Sequence, residues 1–213
     1  MNGHPPQARE RPLLITDCDE VLLHMVSHFA DWLRDAHGLS FDLECGSFAD
    51  AVSDGATGET IPMDRVWPLL GDFFGTEMQR QTLVPGAGEA LARIGEVADI
   101  VILTNLPDVA HPWRVDQLAG HGICHEVVCN RGGKGVPAQA IRERLGAGMT
   151  VFVDDLAVHH ASVAEHAPEV WRLHMIAEPK LARVVPKAED AHARIDDWPT
   201  ACEWILGKFE ERQ

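Results

Sequence analysis

Two pairs of carboxylates are the groups in this chain best placed to do chemistry: Asp17 and Asp19, one residue apart, and the adjacent Asp154 and Asp155. Like charges about 4 Å apart repel by roughly 1 kcal/mol in bulk water and about 4 kcal/mol at an effective dielectric of 20, so each pair calls for a partner. A divalent cation is the obvious one. Between the pairs lie Thr104-Asn105 and the run Gly132-Gly133-Lys134-Gly135, which offer a hydroxyl, an amide and an ammonium to an anionic ligand. Taken singly, each has a plainer reading. Asp-x-Asp can be a solvated strand end, Thr104 a turn cap, and Lys134 a first-turn surface lysine.

These groups end short apolar runs: Leu13-Leu14-Ile15-Thr16 before Asp17, Val101-Ile102-Leu103 before Thr104, and Thr150-Val151-Phe152-Val153 before Asp154. Such runs read as strands, over residues 12–16, 99–104, 123–129, 149–153 and 170–176, with an edge strand at 191–195. Helical spacing fills the gaps, with a helix over 21–37 stopped by Gly38, others over 88–97, 107–119, 134–145 and 156–165, and a closing helix after Asp197. Strands alternating with helices predict right-handed crossovers and a doubly wound parallel sheet, an α/β fold. Its carboxyl edge would then gather the polar groups, where open α/β sheets bind ligands.

In this order, the four elements resemble the haloacid dehalogenase superfamily. That family has a strand ending in Asp-x-Asp, a strand ending in Thr or Ser, a Lys opening a helix, and a strand ending in an acidic pair. The resemblance implies a Mg2+-dependent phosphatase in which Asp17 is the nucleophile that forms an aspartyl-phosphate. Asp19 would act as the general acid and base while its backbone carbonyl contacts the metal. Asp17 and Asp155 would ligate Mg2+, with Asp154 acting on it through water or Lys134. Thr104 and the Asn105 N–H would hold a phosphoryl oxygen, and Lys134 would balance the charge. Some members carry another Asp four residues after the metal ligand, where this chain has His159.

The resemblance also implies a Rossmann-like core from residues 1–20 and 84–213, with 1–11 a tail, and a small helical cap at 21–83. Such a cap closes over small substrates and helps select them. Its only basic residues other than histidine are Arg34, Arg65 and Arg80, and Arg65 and Arg80 are the expected contacts for a small phosphorylated metabolite. The absence of lysine from 21–83 argues against phosphonate cleavage through a Schiff base. Asp19 argues against dehalogenation, because a halide needs no general acid. A phosphomutase of the same superfamily and a catalytically silent metal-binding module remain as alternatives. A receiver domain has its acidic pair before, not after, its Thr and Lys.

Composition sets the outer bounds. The chain of 213 residues is 46% hydrophobic, enough for one core with an insertion. Its formal charge of −15 argues against binding a nucleic-acid backbone. No apolar run is of membrane-spanning length, and residues 1–11 lack a signal-peptide pattern, so a soluble cytoplasmic protein is expected. Five scattered cysteines fit reduced thiols. His24 and His28 have the i, i+4 spacing of a zinc pair but no evident third ligand, and His159 and His160 read as helix-surface residues.

Overall fold

The computed structural model describes residues 11–45 and 50–211. Its first strand, β1 (Leu13–Thr16), is buried along its whole length, as in the middle of a parallel sheet. The chain then doubles back. The N–H groups of Leu22 and Leu23 both bond the Cys18 carbonyl, and Glu20 adopts a left-handed backbone with φ 58°. These turns delay the first helix, α1 (Val26–His37), past the expected start at 21, and Leu22 and Leu23 pack into the core instead.

Gly38 ends α1 in a left-handed conformation, its N–H bonding back to Arg34. Then come β2 (Leu39–Phe41) and β3 (Val52–Asp54), paired antiparallel, followed by α2 (Met63–Thr76) and a 3-10 turn at Met78–Arg80. The expectation of an all-helical segment is therefore corrected. Leu39-Ser40-Phe41 alternates at period two over a stretch too short to stand out beside helical stripes, and it forms a strand because Val52 to Asp54 pairs with it. Phe29, Leu33, Val52, Ile61, Val66 and Phe73 bury one another in a cluster of their own.

The remaining elements are α3 (Ala87–Gly95), β4 (Asp99–Thr104), α4 (His111–Gly120), β5 (Glu126–Cys129), α5 (Gly135–Leu145), β6 (Thr150–Asp154), α6 (Ala157–His166), β7 (Trp171–His174), α7 (Pro179–Val184), β8 (Ala193–Arg194) and α8 (Trp198–Glu210). Pro112 does not break a helix, because it sits in the first turn of α4, where its missing N–H leaves no bond unmade. The strand expected over 123–129 is shortened at its start, because Ile123 instead bonds back to Leu118 to close α4. Glu178 caps α7 by accepting the Lys180 N–H, and Pro179 fills its first turn.

Six strands form one sheet in the order β5-β4-β1-β6-β7-β8, every neighbouring pair parallel, the doubly wound architecture expected. Side chains alternate across it. Leu14, Ile102, Val151 and Leu173 join a core with α3 and α8, while Leu13, Ile15, Leu103 and Phe152 join another with α5 and α6. Burying each such side chain stabilises by about 1.5–3 kcal/mol, which anchors the strand ends from both sides. The chain leaves β1 for β4 and β5 on one side and later adds β6, β7 and β8 on the other. The carboxyl end of β1 is thus the switch point where a crevice opens. Among the described residues, no helix is long and apolar enough to cross a membrane.

Candidate active site

Three strand ends meet at this switch point. β1 runs into Asp17, β4 ends at Thr104, and β6 ends at Asp154 with Asp155 next in the chain. Carboxylate oxygens of Asp17, Asp154 and Asp155 lie within 4.8 Å of one another, the one group of three potential metal ligands among the described residues. Lys134, just before α5, reaches under them. Its Nζ is 2.7 Å from Asp17 Oδ1 and 2.7 Å from Asp154 Oδ2, and its side chain is 0% exposed, so it is not a surface lysine. Glycine makes this approach possible. A Cβ at Gly135 would fall 2.0 Å from the Ser162 carbonyl oxygen on α6, and one at Gly133 would fall 2.6 Å from Ser162 Oγ.

One ammonium among three carboxylates leaves an excess of negative charge. Burial, aided by repulsion from Asp154 and opposed by Lys134, pushes the Asp17 carboxyl up to about 7. Asp155 is raised well above the usual carboxylate range, first by burial and then by Asp154 and Asp17. Burial alone would lower the Lys134 pKa, but the Asp154 and Asp17 carboxylates outweigh it and keep the ammonium charged.

The hydrogen bonds show which atoms remain open to a ligand. Both Asp154 oxygens already have donors, Oδ1 accepting the Leu156 N–H at 2.9 Å and Oδ2 accepting from Lys134. Asp17 Oδ1 accepts from Lys134 and from the Cys18 N–H at 2.7 Å. Among the described residues, no group donates to Asp17 Oδ2 or to the Asp155 carboxylate. The Thr104 hydroxyl is buried with no partner among the described residues. Two open carboxylates contributing only hard oxygen donors fit Mg2+, which favours oxygen and retains water.

Asp19 is held apart from the other acids. One terminal nitrogen of Arg114, on α4, bridges both Asp19 oxygens at 2.8 and 2.7 Å, and the Arg114 side chain is 0% exposed. The other terminal nitrogen bonds Gln117 Oε1 at 2.9 Å and Gln81 Oε1 at 3.3 Å. Gln81 Nε2 also donates to Asp19 Oδ1 at 2.9 Å, and Gln117 donates to the Met78 carbonyl. None of Arg114, Gln81 or Gln117 was singled out from the sequence. Arg114 lies 95 positions from Asp19, and nothing in its helical stretch distinguishes it from a surface arginine.

Asn105 donates to the Gly132 carbonyl at 3.0 Å and accepts from Asn130 at 2.9 Å, tying the end of β4 to the glycine-rich loop. His159 and His160 are buried, which corrects their reading as surface residues. His160 Nε2 lies 3.0 Å from the Asp154 carbonyl oxygen, and burial lowers its pKa to about 4, so its neutral ring props the carboxyl end of β6. His159 Nε2 is 3.3 Å from Asn105 Nδ2. Glu20 is buried as well, accepting the N–H groups of Met25, Val26 and Glu178 at 2.7, 2.6 and 3.1 Å. Burial pushes its carboxyl up to about 7.

A cleft of about 510 Å³ opens over Asp17, Asp19, Thr104, Asn105 and Asp155. Arg65 and Arg80 do not line it; Arg80 pairs with Glu77 on the surface, 75% exposed. His24 and His28 belong to no three-ligand group among the described residues, and His28 Nε2 lies 3.0 Å from Thr82 Oγ1.

No protein-family model and no curated protein sequence matches this chain. Solved structures do. A haloacid dehalogenase-like family hydrolase from Streptococcus pneumoniae superposes with a TM-score of 0.61 at 10% identity, over 90% of this chain and 97% of that one. The fold is that of the haloacid dehalogenase-like hydrolases. A candidate HAD-hydrolase from Bacillus subtilis, bound to magnesium, gives a TM-score of 0.62 at 10% identity over 92% of this chain and 99% of its own. A candidate phosphoglycolate phosphatase from Lactobacillus plantarum gives 0.61 at 14% identity over 91% and 99%. On this haloacid dehalogenase-like core, Asp17, Thr104, Lys134 and Asp155 come from four separate segments to one sheet edge.

Proposed function

We propose that this chain is a magnesium-dependent phosphatase of the haloacid dehalogenase superfamily, hydrolysing a small phosphomonoester through an aspartyl-phosphate on Asp17. The observation that carries this reading is the open set at the sheet edge. Among the described residues nothing donates to Asp17 Oδ2 or to the Asp155 carboxylate and the Thr104 hydroxyl has no partner, while Lys134 is fixed beneath them. Phosphoryl transfer needs a positioned nucleophile and compensation of the equatorial oxygens, which these groups supply.

In the first step an Asp17 oxygen attacks phosphorus in line as the ester oxygen departs, taking a proton from Asp19. In the second, Asp19 removes a proton from water, which attacks the aspartyl-phosphate and releases inorganic phosphate. Thr104 and the Asn105 N–H hold a phosphoryl oxygen, and Lys134 fixes the Asp17 carboxylate. Asp17, Asp155 and the Asp19 carbonyl would hold Mg2+, which when bound neutralises charge on the phosphoryl oxygens. Because Arg114 engages both Asp19 oxygens, proton delivery requires Asp19 to turn off the guanidinium. Residues 21–83 act as the cap, which Gln81 and Met78 join to Arg114 and Gln117.

A mutase must also hold a second phosphate. The described residues lining the cleft include no Lys or Arg for that purpose, which favours hydrolysis. The test is p-nitrophenyl phosphate hydrolysis with and without Mg2+. Activity that requires the metal and is lost in Asp17→Asn, with an unchanged circular dichroism spectrum, is expected. Failure to release phosphate from a broad panel of monoesters would identify the chain as a silent metal-binding module.

A further inference from the structure

The upper part of the cleft differs from its floor. Above the carboxylates the walls are carbon: Phe41, Trp67, Leu70 and Phe74 on the inserted segment, Leu181 and Val185 on the core side. Trp67 is 56% exposed, so a ligand seated there would cover apolar surface that now meets water. The polar groups of the lining concentrate at the phosphoryl end, in Thr104, Asn105 and His159. Among the described residues, the one charged side chain that the hairpin adds to the lining is Asp42, an acid. The volume of about 510 Å³ falls in the range of small-molecule sites, about 300–1,000 Å³.

Electrostatics and desolvation narrow what this space accepts. A leaving group carrying a carboxylate or second phosphate would meet Asp19, Glu20 and Asp42 with no cation among the described lining residues. A sugar or glycerol would bury hydroxyls against carbon, and each unpartnered hydroxyl costs about 1–3 kcal/mol by protein mutational data. We infer that the substrate is the phosphomonoester of an apolar alcohol or phenol, its hydrocarbon part seated between Leu70 and Phe74 on one side and Leu181 and Val185 on the other. This rests on the phosphatase reading for the head group, while the carbon walls alone carry the choice of leaving group.

The test separates the two. Binding of n-alkylphosphonic acids from methyl to hexyl is measured calorimetrically on the full chain with Mg2+, since these probes carry no ester to hydrolyse. Affinity is expected to rise about threefold to fourfold per added methylene. The slope is expected to flatten in Leu70→Ser and in Trp67→Ser, each compared with the parent at an unchanged circular dichroism spectrum. Methylphosphonate that binds with no gain along the series overturns the apolar leaving group and leaves the phosphatase reading intact. Absence of binding across the whole series, together with no hydrolysis of p-nitrophenyl phosphate, overturns both. Tighter binding of 2,3-dihydroxypropylphosphonate than of propylphosphonate also overturns the inference.

Discussion

The sheet edge and the inserted wall that faces it across the cleft are built on opposite terms. At the edge, buried charges sit at fixed distances: Lys134 is shared between Asp17 and Asp154, and Arg114 bridges Asp19. On the facing wall Phe41, Trp67, Leu70 and Phe74 present carbon, and the wall's basic residues lie outside the cleft. Position matters at the first surface and composition at the second. A carboxylate displaced by an ångström loses its task, whereas an apolar wall admits many side chains and chiefly changes what binds.

The largest effect expected lies on the charged side. Lys134→Met leaves Asp17 and Asp154 facing each other without their cation, and removing one partner of a buried ion pair costs about 3–5 kcal/mol. Urea unfolding is expected to show that loss, part of it restored by Mg2+. An unchanged urea midpoint would erase the contrast between the two surfaces.

Next comes the grip on Asp19. Arg114→Lys keeps the charge but cannot bridge two oxygens and bond two glutamines at once. Turnover is expected to fall about 100-fold on an alkyl phosphate, whose leaving oxygen needs a proton, and much less on p-nitrophenyl phosphate. Equal losses on both substrates would show that the guanidinium only supports the fold.

A smaller effect follows from the raised acids. Asp17, at about 7, and Asp155 both titrate above their unfolded values. For Asp17 the contribution to stability without metal is therefore complete below about pH 4 and lost as pH rises through about 7, and Asp155 acts in the same direction. Since Mg2+ must displace those protons, its affinity is expected to rise over the same range, with a larger melting-temperature gain at pH 7.5 than at pH 5.5. A metal-induced gain independent of pH would contradict the buried, mutually repelling cluster.

The smallest effect belongs to the surface of the insertion. Arg80→Ala removes an exposed pair with Glu77, and neither melting temperature nor KM is expected to move measurably. A raised KM would bring a cation to the substrate and blur the division between the two surfaces.

Legibility in the sequence followed the same division. The central strands β1, β4 and β6 could be read because each is a largely buried apolar run, and the acids, Thr104 and Lys134 because they stand at or just beyond the ends of such runs or at a helix start. Arg114, Gln81 and Gln117 could not be read, because their meaning lies in contacts between segments distant in the chain. The β2–β3 hairpin escaped because each of its strands is only three residues long and registers only against its partner. The burial of His159 and His160 was hidden for a related reason, since the faces of a short helix are assigned by what packs on them.

Glu20 gives the loop after β1 an unusual construction. Most loops that need a left-handed residue place glycine there, which relaxes the backbone and contributes no side chain. Here a carboxylate gathers three amide hydrogens from two separate segments, the start of α1 and the approach to α7, while its own backbone stays strained. Replacement by glycine would ease the torsion and strand those amides, and replacement by glutamine would keep the torsion and the Met25 and Val26 bonds but set an NH2 donor against the Glu178 N–H. No single substitution at position 20 can deliver both, so the junction between Asp17 and the insertion can be loosened or rebuilt only by coordinated change.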